Sequence, residues 1–411
     1  MTFPMTTEFK EWNADKNVTN QLLADIEELA PHIQSRSAEM EASGRIPIDL
    51  IESLRAIGVF RMFVPRSHGG FELDFSDGVE IIQALARIDG SVGWSAMISV
   101  GGSVFATLLP PETYIRIYEK GPDVIFSGSL RSSGKAEATE NNWRLNGRWD
   151  FASGCQHADW MFGTFFMSKD GVQLVRPNGQ KVSRGCIVRA RDWKIKETWH
   201  VAGLKATGSH DIEITDVVVP EAHFFDAFDP QFHKPGPLYQ EPLPLLLLTL
   251  PATFVGMAAG ALDEIVRVAN SGRQQFMATT PMRDSELLQA ELGRIEADLN
   301  AARAYLQAQV ANHWSHALDG TLEKEPFLTQ TAQTAAWLGA TCVRVANDCF
   351  ALGGGSAVYQ SSPLQRRLRD LLTASQHAIA QRRQYVASGK LLLEPSWQTS
   401  RDFSVVAANA A

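Results

Sequence analysis

Cysteine is scarce: the 411-residue chain holds four, Cys155, Cys186, Cys342 and Cys349, with no CxxC pair among them. The scarcity excludes a disulfide-stapled secreted scaffold and favours small buried thiols in a reducing, cytoplasmic compartment. Metal-ligand patterns are missing as well. None of the ten histidines falls in an HExxH motif, and the Cys155/His157 and His313/His316 pairs lack further ligands at suitable spacing, so no metal is expected. Positive charge is in deficit. The 38 Lys and Arg face 46 Asp and Glu, a net charge of -8, which provides no field for a phosphate backbone and argues against nucleic acid as a partner.

A GxGxxG motif between strand and helix is absent too. The run Gly353 to Gly355 follows a helical stretch and reads first as a helix-ending turn, with a phosphate cradle as the alternative. No basic segment followed by an apolar run opens MTFPMTTEFKEWNADKN, so no secretory signal is expected. Leu243 to Leu262 is uncharged and about long enough to span a membrane, but Pro244 and Pro251 interrupt it, and Asp263, Glu264 and Arg267 follow. It reads as a buried helix, and no membrane association is expected.

What is present is an ordinary globular balance, 45 % apolar and 20 % charged, arranged in three stretches of different grammar. Residues 1–122 read as a helical domain: Leu22, Leu23, Ile26 and Leu29, then Leu50, Ile51, Leu54 and Ile57, recur at helical steps, and Gly58 ends the second run. Residues 123–235 read as a β domain of short strands separated by Gly, Asn, Asp and Pro. Asn146-Gly147 supplies its strongest hairpin signal. Residues 236–411 read as a helical bundle, with helices over 252–270, 284–317, 326–350 and 364–393.

Three places carry candidate chemistry. In GRWDFASGCQHADW, Trp149, Phe151 and Trp160 provide flat apolar surface, Ser153 a small donor and acceptor, and Gly154 room beside them. That mixture suits a planar heteroaromatic cofactor, although β cores collect aromatics for packing alone. In PLQRRLRDLLTASQHAIAQRRQYV, the four-residue steps Arg369, Thr373, His377 and Gln381 put His377 on a defined face of a helix; alternatively, Ser375 caps a new helix after a break. Either arrangement holds an imidazole firmly enough for acid-base work, as packing alone also would. Arg273, in SGRQQF, suits a phosphate, a helix end or a carboxylate equally.

Taken together, VFRMFVPRSHGG, LARIDGSVGW, RWDFASGCQHADW, WHVAGLKATGSHDIEITDVVVP, GRQQF, ALGGGSAVY and RDLLTASQH resemble, in order and over nearly the whole chain, the acyl-CoA dehydrogenase fold. More closely they resemble the oxygenase components of two-component flavin-dependent monooxygenases, such as the p-hydroxyphenylacetate, secosteroid-phenol and dibenzothiophene oxygenases. The resemblance implies an α+β chain with an N-terminal helical domain, a middle β-domain and a C-terminal four-helix bundle, assembled as a homotetramer. It implies that Ser153 lies near flavin N5 and O4, that Trp149 and Phe151 belong to the ring-packing strand, and that Trp94 and Ser129 line the flavin and substrate cavity. It further implies that Arg273, with Gly354 and Gly355, reaches flavin phosphate, often across a subunit boundary, and that His377 lies near flavin C4a. Trp94, Phe126, Phe151 and Phe276 would add apolar surface for an aromatic substrate.

The implied reaction takes reduced FMN or FAD from a separate NAD(P)H-dependent flavin reductase. O2 adds at C4a, and the hydroperoxide transfers one oxygen atom to a small aromatic, indole-like or phenolic compound. An acyl-CoA dehydrogenase-like FAD enzyme is the nearest alternative. However, TASQH stands where such enzymes often carry a glutamate base, and no acidic residue lies between Asp370 and Glu394. A non-catalytic flavin or small-ligand binding protein is the alternative of a different class.

Overall fold

The computed structural model describes Trp12 and residues 15–227 and 229–394; residues 1–11, scanned above for a signal, and Phe228 lie outside the described residues. Six helices come first: α1 Lys16–Ser35, α2 Ser37–Ser43, α3 Ile48–Ile57, α4 Phe75–Ile88, α5 Gly90–Ala106 and α6 Pro111–Ile117. Local chemistry sets their ends. Asp15 caps α1 by accepting the Asn17 N–H, and Gly58, at φ +92°, closes α3 in the left-handed conformation that its missing Cβ permits. Asp89 caps α5 with one carboxylate oxygen that accepts the N–H groups of Ser91 (3.0 Å) and Val92 (3.2 Å). Helix α5, rich in Gly, Ser and Ala, is buried on almost every face, because its small side chains let neighbours approach closely.

The middle of the chain forms one mixed sheet. Its strands are β1 Phe126–Ala138, β2 Asn142–Ala152, β3 Trp160–Lys169, β4 Val172–Gln173, β5 Ser183–Arg189, β6 Lys194–Lys196, β7 His210–Pro220 and β8 Phe224–Phe225. The order is β6-β7-β2-β1-β3-β5-β8, with β4 beside β3, and β1 and β3 run parallel while the other pairs are antiparallel. Asn146-Gly147 is not a hairpin turn, contrary to the reading above. Both residues lie inside β2, and the chain reverses at Thr139–Asn142, where the Thr139 N–H donates to Asn142 O (2.8 Å). A Cβ on Gly147 would meet the Trp149 ring at 2.5 Å and Gly134 Cα at 2.7 Å, so this glycine serves close packing. Asn146 bridges a bulge: its side chain accepts the N–H of Asp216, which sits at φ +58°.

After a four-residue helix, α7 Pro237–Gln240, come α8 Pro242–Asn270, α9 Glu286–Leu318, α10 Lys324–Leu352, α11 Pro363–Ala374 and α12 Tyr385–Leu393. Helix α8 begins ten residues before the expected start at 252, because Pro242 and Pro244 sit in the first turn, where the missing N–H has no helical partner to lose. It is long and apolar enough to cross a membrane, yet 89 % of its most apolar window is buried inside the fold, against α4, α5, α9, α10 and α11. The expected continuous helix over 364–393 is broken. It stops at Ala374, passes through two short 3-10 turns, Ala378–Ala380 and Arg382–Gln384, and resumes as α12.

Helix α11 meets the β unit at the connection from β6 to β7. Leu204 N–H donates to Asp370 Oδ1 (2.6 Å), the Arg369 guanidinium bonds Ala202 O, and Arg369 also pairs with Glu41 (2.7 Å). Gly203 lies between these contacts, so close that a Cβ there would fall 2.1 Å from Arg369 O. Asp370 is fully enclosed, and burial, with the Asp89 carboxylate nearby, pushes its pKa up to about 7.

Two substitutions at this junction, with one in α9 as a control, carry predictions. Gly203→Ala forces backbone against backbone and should cost ~1–3 kcal/mol in urea unfolding. Gly293→Ala, in the interior of α9 with nothing within 4 Å, should instead gain about 0.5–1 kcal/mol. The Asp370 pKa in the folded chain lies above its value in the unfolded chain, so between about pH 4 and 7 the folded state holds a proton that the unfolded state has lost, and stability falls as pH rises through that window. Asp370→Asn keeps an acceptor for Leu204 N–H but does not titrate. Wild type should therefore lose on the order of 3 kcal/mol relative to Asp370→Asn between pH 5 and pH 8; parallel stability curves would contradict the assignment.

Candidate active site

Strand β2 does not end as a regular strand. Its pairing with β7 slips between Trp149 and Ala152, and Phe151 adopts φ +65°. The slip turns Ser153 toward the helical domain, where Ser153 N–H bonds Phe151 O (3.0 Å), Ser127 Oγ donates to Ser153 O (2.8 Å) and Gly154 N–H donates to Thr207 O (2.8 Å). The indole N–H of Trp94, on α5, donates to Ser153 Oγ (3.0 Å). Ser153 Oγ also lies 2.7 Å from Ser209 Oγ, which lies 2.6 Å from Thr207 Oγ1, whose hydroxyl donates to Leu204 O (2.7 Å). Trp94, Ser153, Thr207 and Ser209 are all at most 7 % exposed.

His377 closes the group from the third part of the chain. It stands just past the end of α11 and caps the 3-10 turn Ala378–Ala380; its Nδ1 accepts a long bond from Ile379 N–H (3.4 Å). That bond puts the proton of the neutral ring on Nε2. The imidazole lies 6.1 Å from the Trp94 ring, edge to face at 65°. Its side chain is exposed to solvent, but the protein crowded around it disfavours the charged ring and lowers its pKa to about 4. At neutral pH it presents an uncharged ring with an Nε2–H donor.

The other sequence-derived residues scatter. Trp149 is 1 % exposed, packs against Phe165 (4.8 Å) and Trp193 (5.2 Å), and donates to Thr164 O (3.3 Å). It belongs to the core of the sheet, and its indole is spent on that packing rather than offered to a ring. Phe151 is 63 % exposed and lies edge-on to Trp199 (6.1 Å). Phe126 is 1 % exposed, with its N–H on Ser99 Oγ (3.1 Å), and is a core residue that lines only a small cavity beneath Ser153. Phe276 is 95 % exposed in the segment after α8 and touches no part of the Trp94 group. Ser129 is half-buried, its Oγ accepting from Arg131 N–H (3.3 Å).

Arg273, Gly354 and Gly355 form a separate cluster. The guanidinium bonds Ser356 Oγ, Gln275 donates to Leu352 O (2.9 Å), and Gly354 turns at φ +57° beside Gln275. Residues not singled out from sequence, Ser127, Leu204, Thr207 and Ser209, complete the first cluster, with Asp370, marked in the sequence only as the last acidic residue before His377. Their signal was faint: two hydroxyls flanking Gly208 in KATGSH, and one aspartate seven residues before His377.

Whether the first cluster suits a flavin is tested by its polar groups. Ser153 Oγ, bonded to Trp94 and Ser209, keeps one hydrogen-bonding position open, neutral His377 offers a donor, and Trp94 offers a flat apolar face. A heteroaromatic ring carrying both N–H and C=O groups fits that set. Beneath the Ser153 turn, Ser95 Oγ and His157 Nε2 are buried without partners and line a cavity of about 10 Å³ with Gly154 and Phe126, room for a single water at most.

Residues 248–382 match the acyl-CoA dehydrogenase C-terminal domain, and residues 21–109 the N-terminal domain. The chain is 31 % identical to an indole-3-acetate monooxygenase of Pseudomonas putida over 348 residues, 84 % of this chain and 86 % of that one. Its fold matches XiaF from a Streptomyces species, solved with FADH2 and glycerol, at a TM-score of 0.83 and 21 % identity, covering 92 % of this chain and 97 % of XiaF. It also matches the dibenzothiophene monooxygenase TdsC of Paenibacillus sp. A11-2, solved with FMN and indole, at 0.77 and 18 % identity, covering 90 % and 96 %. The chain therefore belongs to the acyl-CoA dehydrogenase superfamily, in its branch of flavin-dependent monooxygenase oxygenase components.

Proposed function

We propose that this protein uses reduced FMN or FAD, delivered by a separate NAD(P)H-dependent reductase, together with O2 to oxygenate a small aromatic compound of indole or phenol type. The observation that carries the reading is the convergence of Trp94, Ser153 and His377, from the helical region, the sheet and the end of α11, on one partly enclosed spot. Bound reduced flavin would supply the oxygen activation that side chains cannot. The residues present would do the rest. Ser153 Oγ would accept from a ring N–H, and Trp94 would back the site with apolar surface. Neutral His377 would donate its Nε2–H to a developing oxyanion or steer an ionised phenol or indole. The packing around them would keep water away from reactive oxygen.

The substrate class rests on the relatives. The Pseudomonas putida enzyme is named for indole-3-acetate, and the Paenibacillus oxygenase has been solved with indole. The two solved relatives hold different flavins, FADH2 and FMN, so the chain is proposed to take either. Acyl-CoA oxidation is disfavoured by the same residues. No Asp or Glu lies between Asp370 and Glu394, and Asp370 itself is buried and bonded to Leu204 N–H. A cytoplasmic homotetramer is part of the proposal. Four free, buried cysteines agree with a reducing compartment, and Phe276, Met277, Val358 and Tyr359, all at least 65 % exposed beside Arg273, give a second copy apolar surface to cover. Sedimentation at the mass of a single chain would remove the tetramer.

The test is anaerobic mixing with reduced FMN or FAD, then an oxygen pulse with rapid absorbance recording and product analysis on indole-3-acetate and simple phenols. A transient spectrum distinct from reduced and oxidised flavin is expected; its absence with both flavins would defeat the proposal. In the same assay His377→Asn should bind flavin normally but lose product by ~10²-fold or more, the usual scale of a positioned proton donor.

A further inference from the structure

The hydroxyl chain behind Ser153 has a direction that its partners dictate. Leu204 O is only an acceptor, so the single proton of Thr207 Oγ1 is committed to it (2.7 Å). Thr207 can then only accept from Ser209, across 2.6 Å, and the Ser209 proton is spent there. Ser209 in turn can only accept from Ser153, across 2.7 Å, so Ser153 has donated its own proton away from the site. Trp94 Nε1–H, which can only donate, takes one lone pair of Ser153 Oγ (3.0 Å). One lone pair remains. Each link polarises the next, so reversing the chain would cost several hydrogen bonds at once.

The far end of the chain is anchored. Leu204 sits at φ +51°, its N–H held by Asp370 Oδ1 (2.6 Å), and its carbonyl also accepts from Trp199 Nε1–H (3.0 Å) and from Thr207 N–H (3.2 Å). Were the Thr207 proton turned elsewhere, two acceptor oxygens would face each other across 2.7 Å, which holds that proton on Leu204 O. The whole relay is buried, with Thr207 at 2 %, Ser209 at 3 % and Ser153 at 4 % exposure, so no water is at hand to reverse it.

We propose that Thr207 and Ser209 are positioning residues that hold Ser153 Oγ as a pure acceptor, and that they thereby make the site select the reduced over the oxidised state of its flavin. The proposal rests on the flavin reading above and concerns how redox state is discriminated. A reduced flavin carries N5–H, a donor that the spare lone pair satisfies; an oxidised flavin presents a bare N5 lone pair, which would face another lone pair in a spot closed to water. Facing two acceptors in such surroundings costs a desolvation penalty with nothing to offset it.

The experiment measures dissociation constants of wild type, Ser209→Ala, Thr207→Val and Thr207→Ser for FMN and FAD, each oxidised and photoreduced under anaerobic conditions. Thermal melting of each variant confirms folding. Wild type should bind the reduced form more tightly. In Ser209→Ala the Ser153 proton loses its acceptor and can turn into the site, so the ratio of oxidised to reduced dissociation constants should fall about tenfold, mostly through tighter binding of the oxidised form. Thr207→Val leaves the Ser209 proton without its acceptor, so Ser209 can donate to Ser153 and the Ser153 proton can turn into the site; the ratio should fall in the same direction. Thr207→Ser keeps the hydroxyl and should keep the ratio. A ratio unmoved in Ser209→Ala and Thr207→Val, or a loss of affinity equal for both redox states, would overturn the proposal while leaving the flavin reading intact. Failure of wild type to bind either flavin in either state would overturn both.

Discussion

The grip of α11 on the β6–β7 connection is the constraint on which the rest of the site depends. Asp370 holds Leu204 by its N–H, and Arg369 holds Ala202 by its carbonyl. The same helix delivers His377 three residues past its last turn. One rigid element therefore fixes two things at once: the carbonyl that terminates the hydroxyl chain leading to Ser153, and the imidazole facing Trp94. Without it the sheet and the bundle would still meet through α5, but the Leu204 carbonyl and His377 would lose their common anchor. The absence of a side chain at Gly203 is what lets the two backbones come together.

Burial at this junction is electrostatically demanding. Arg367 is enclosed beside Asp370 and Asp89, its guanidinium bonded to Arg87 O (2.9 Å) and Ile88 O (3.3 Å), and burial lowers its pKa. An apolar contact of equal volume would cost less to desolvate. Directed hydrogen bonds do what apolar packing cannot: they fix the register of α11 against α4, α5 and the loop, so the helix cannot slide without leaving a buried charge unpaired. Precision at Ser153 and His377 is inherited from that junction.

The architecture was legible because it is written in periodicity. Helical spacing marked α1 and α3, and turn residues between short apolar runs marked the sheet. Residue roles were less legible, and β2 explains why. Alternation would place Trp149, Phe151 and Ser153 on one face; the bulge after Trp149 and the positive φ of Phe151 send them to three environments, at 1 %, 63 % and 4 % exposure. Ser153 could be picked out by its setting in the motif, but the burial of Trp149 in the sheet core depends on Phe165 and Trp193, which are distant in sequence. Asn146-Gly147 misled for a related reason, since a glycine needed for close packing carries the same letter as one needed for a turn. The relay was invisible because Ser209 meets Ser153 across 56 residues, and hydroxyl residues beside a glycine are common.

Helix α8 has a consequence for how the protein comes to be made. Its walls are supplied by α4 and α5, which precede it, and by α9, α10 and α11, which follow. As the chain leaves the ribosome, a span apolar enough to enter a lipid bilayer lacks its last wall until α11 ends at Ala374, about 100 residues after α8 ends at Asn270. At ~5–20 residues per second, that interval lasts on the order of 5 to 20 seconds. During it the nascent chain exposes an apolar surface that the finished fold hides, so the hazard of α8 belongs to the making of the protein and not to its folded state.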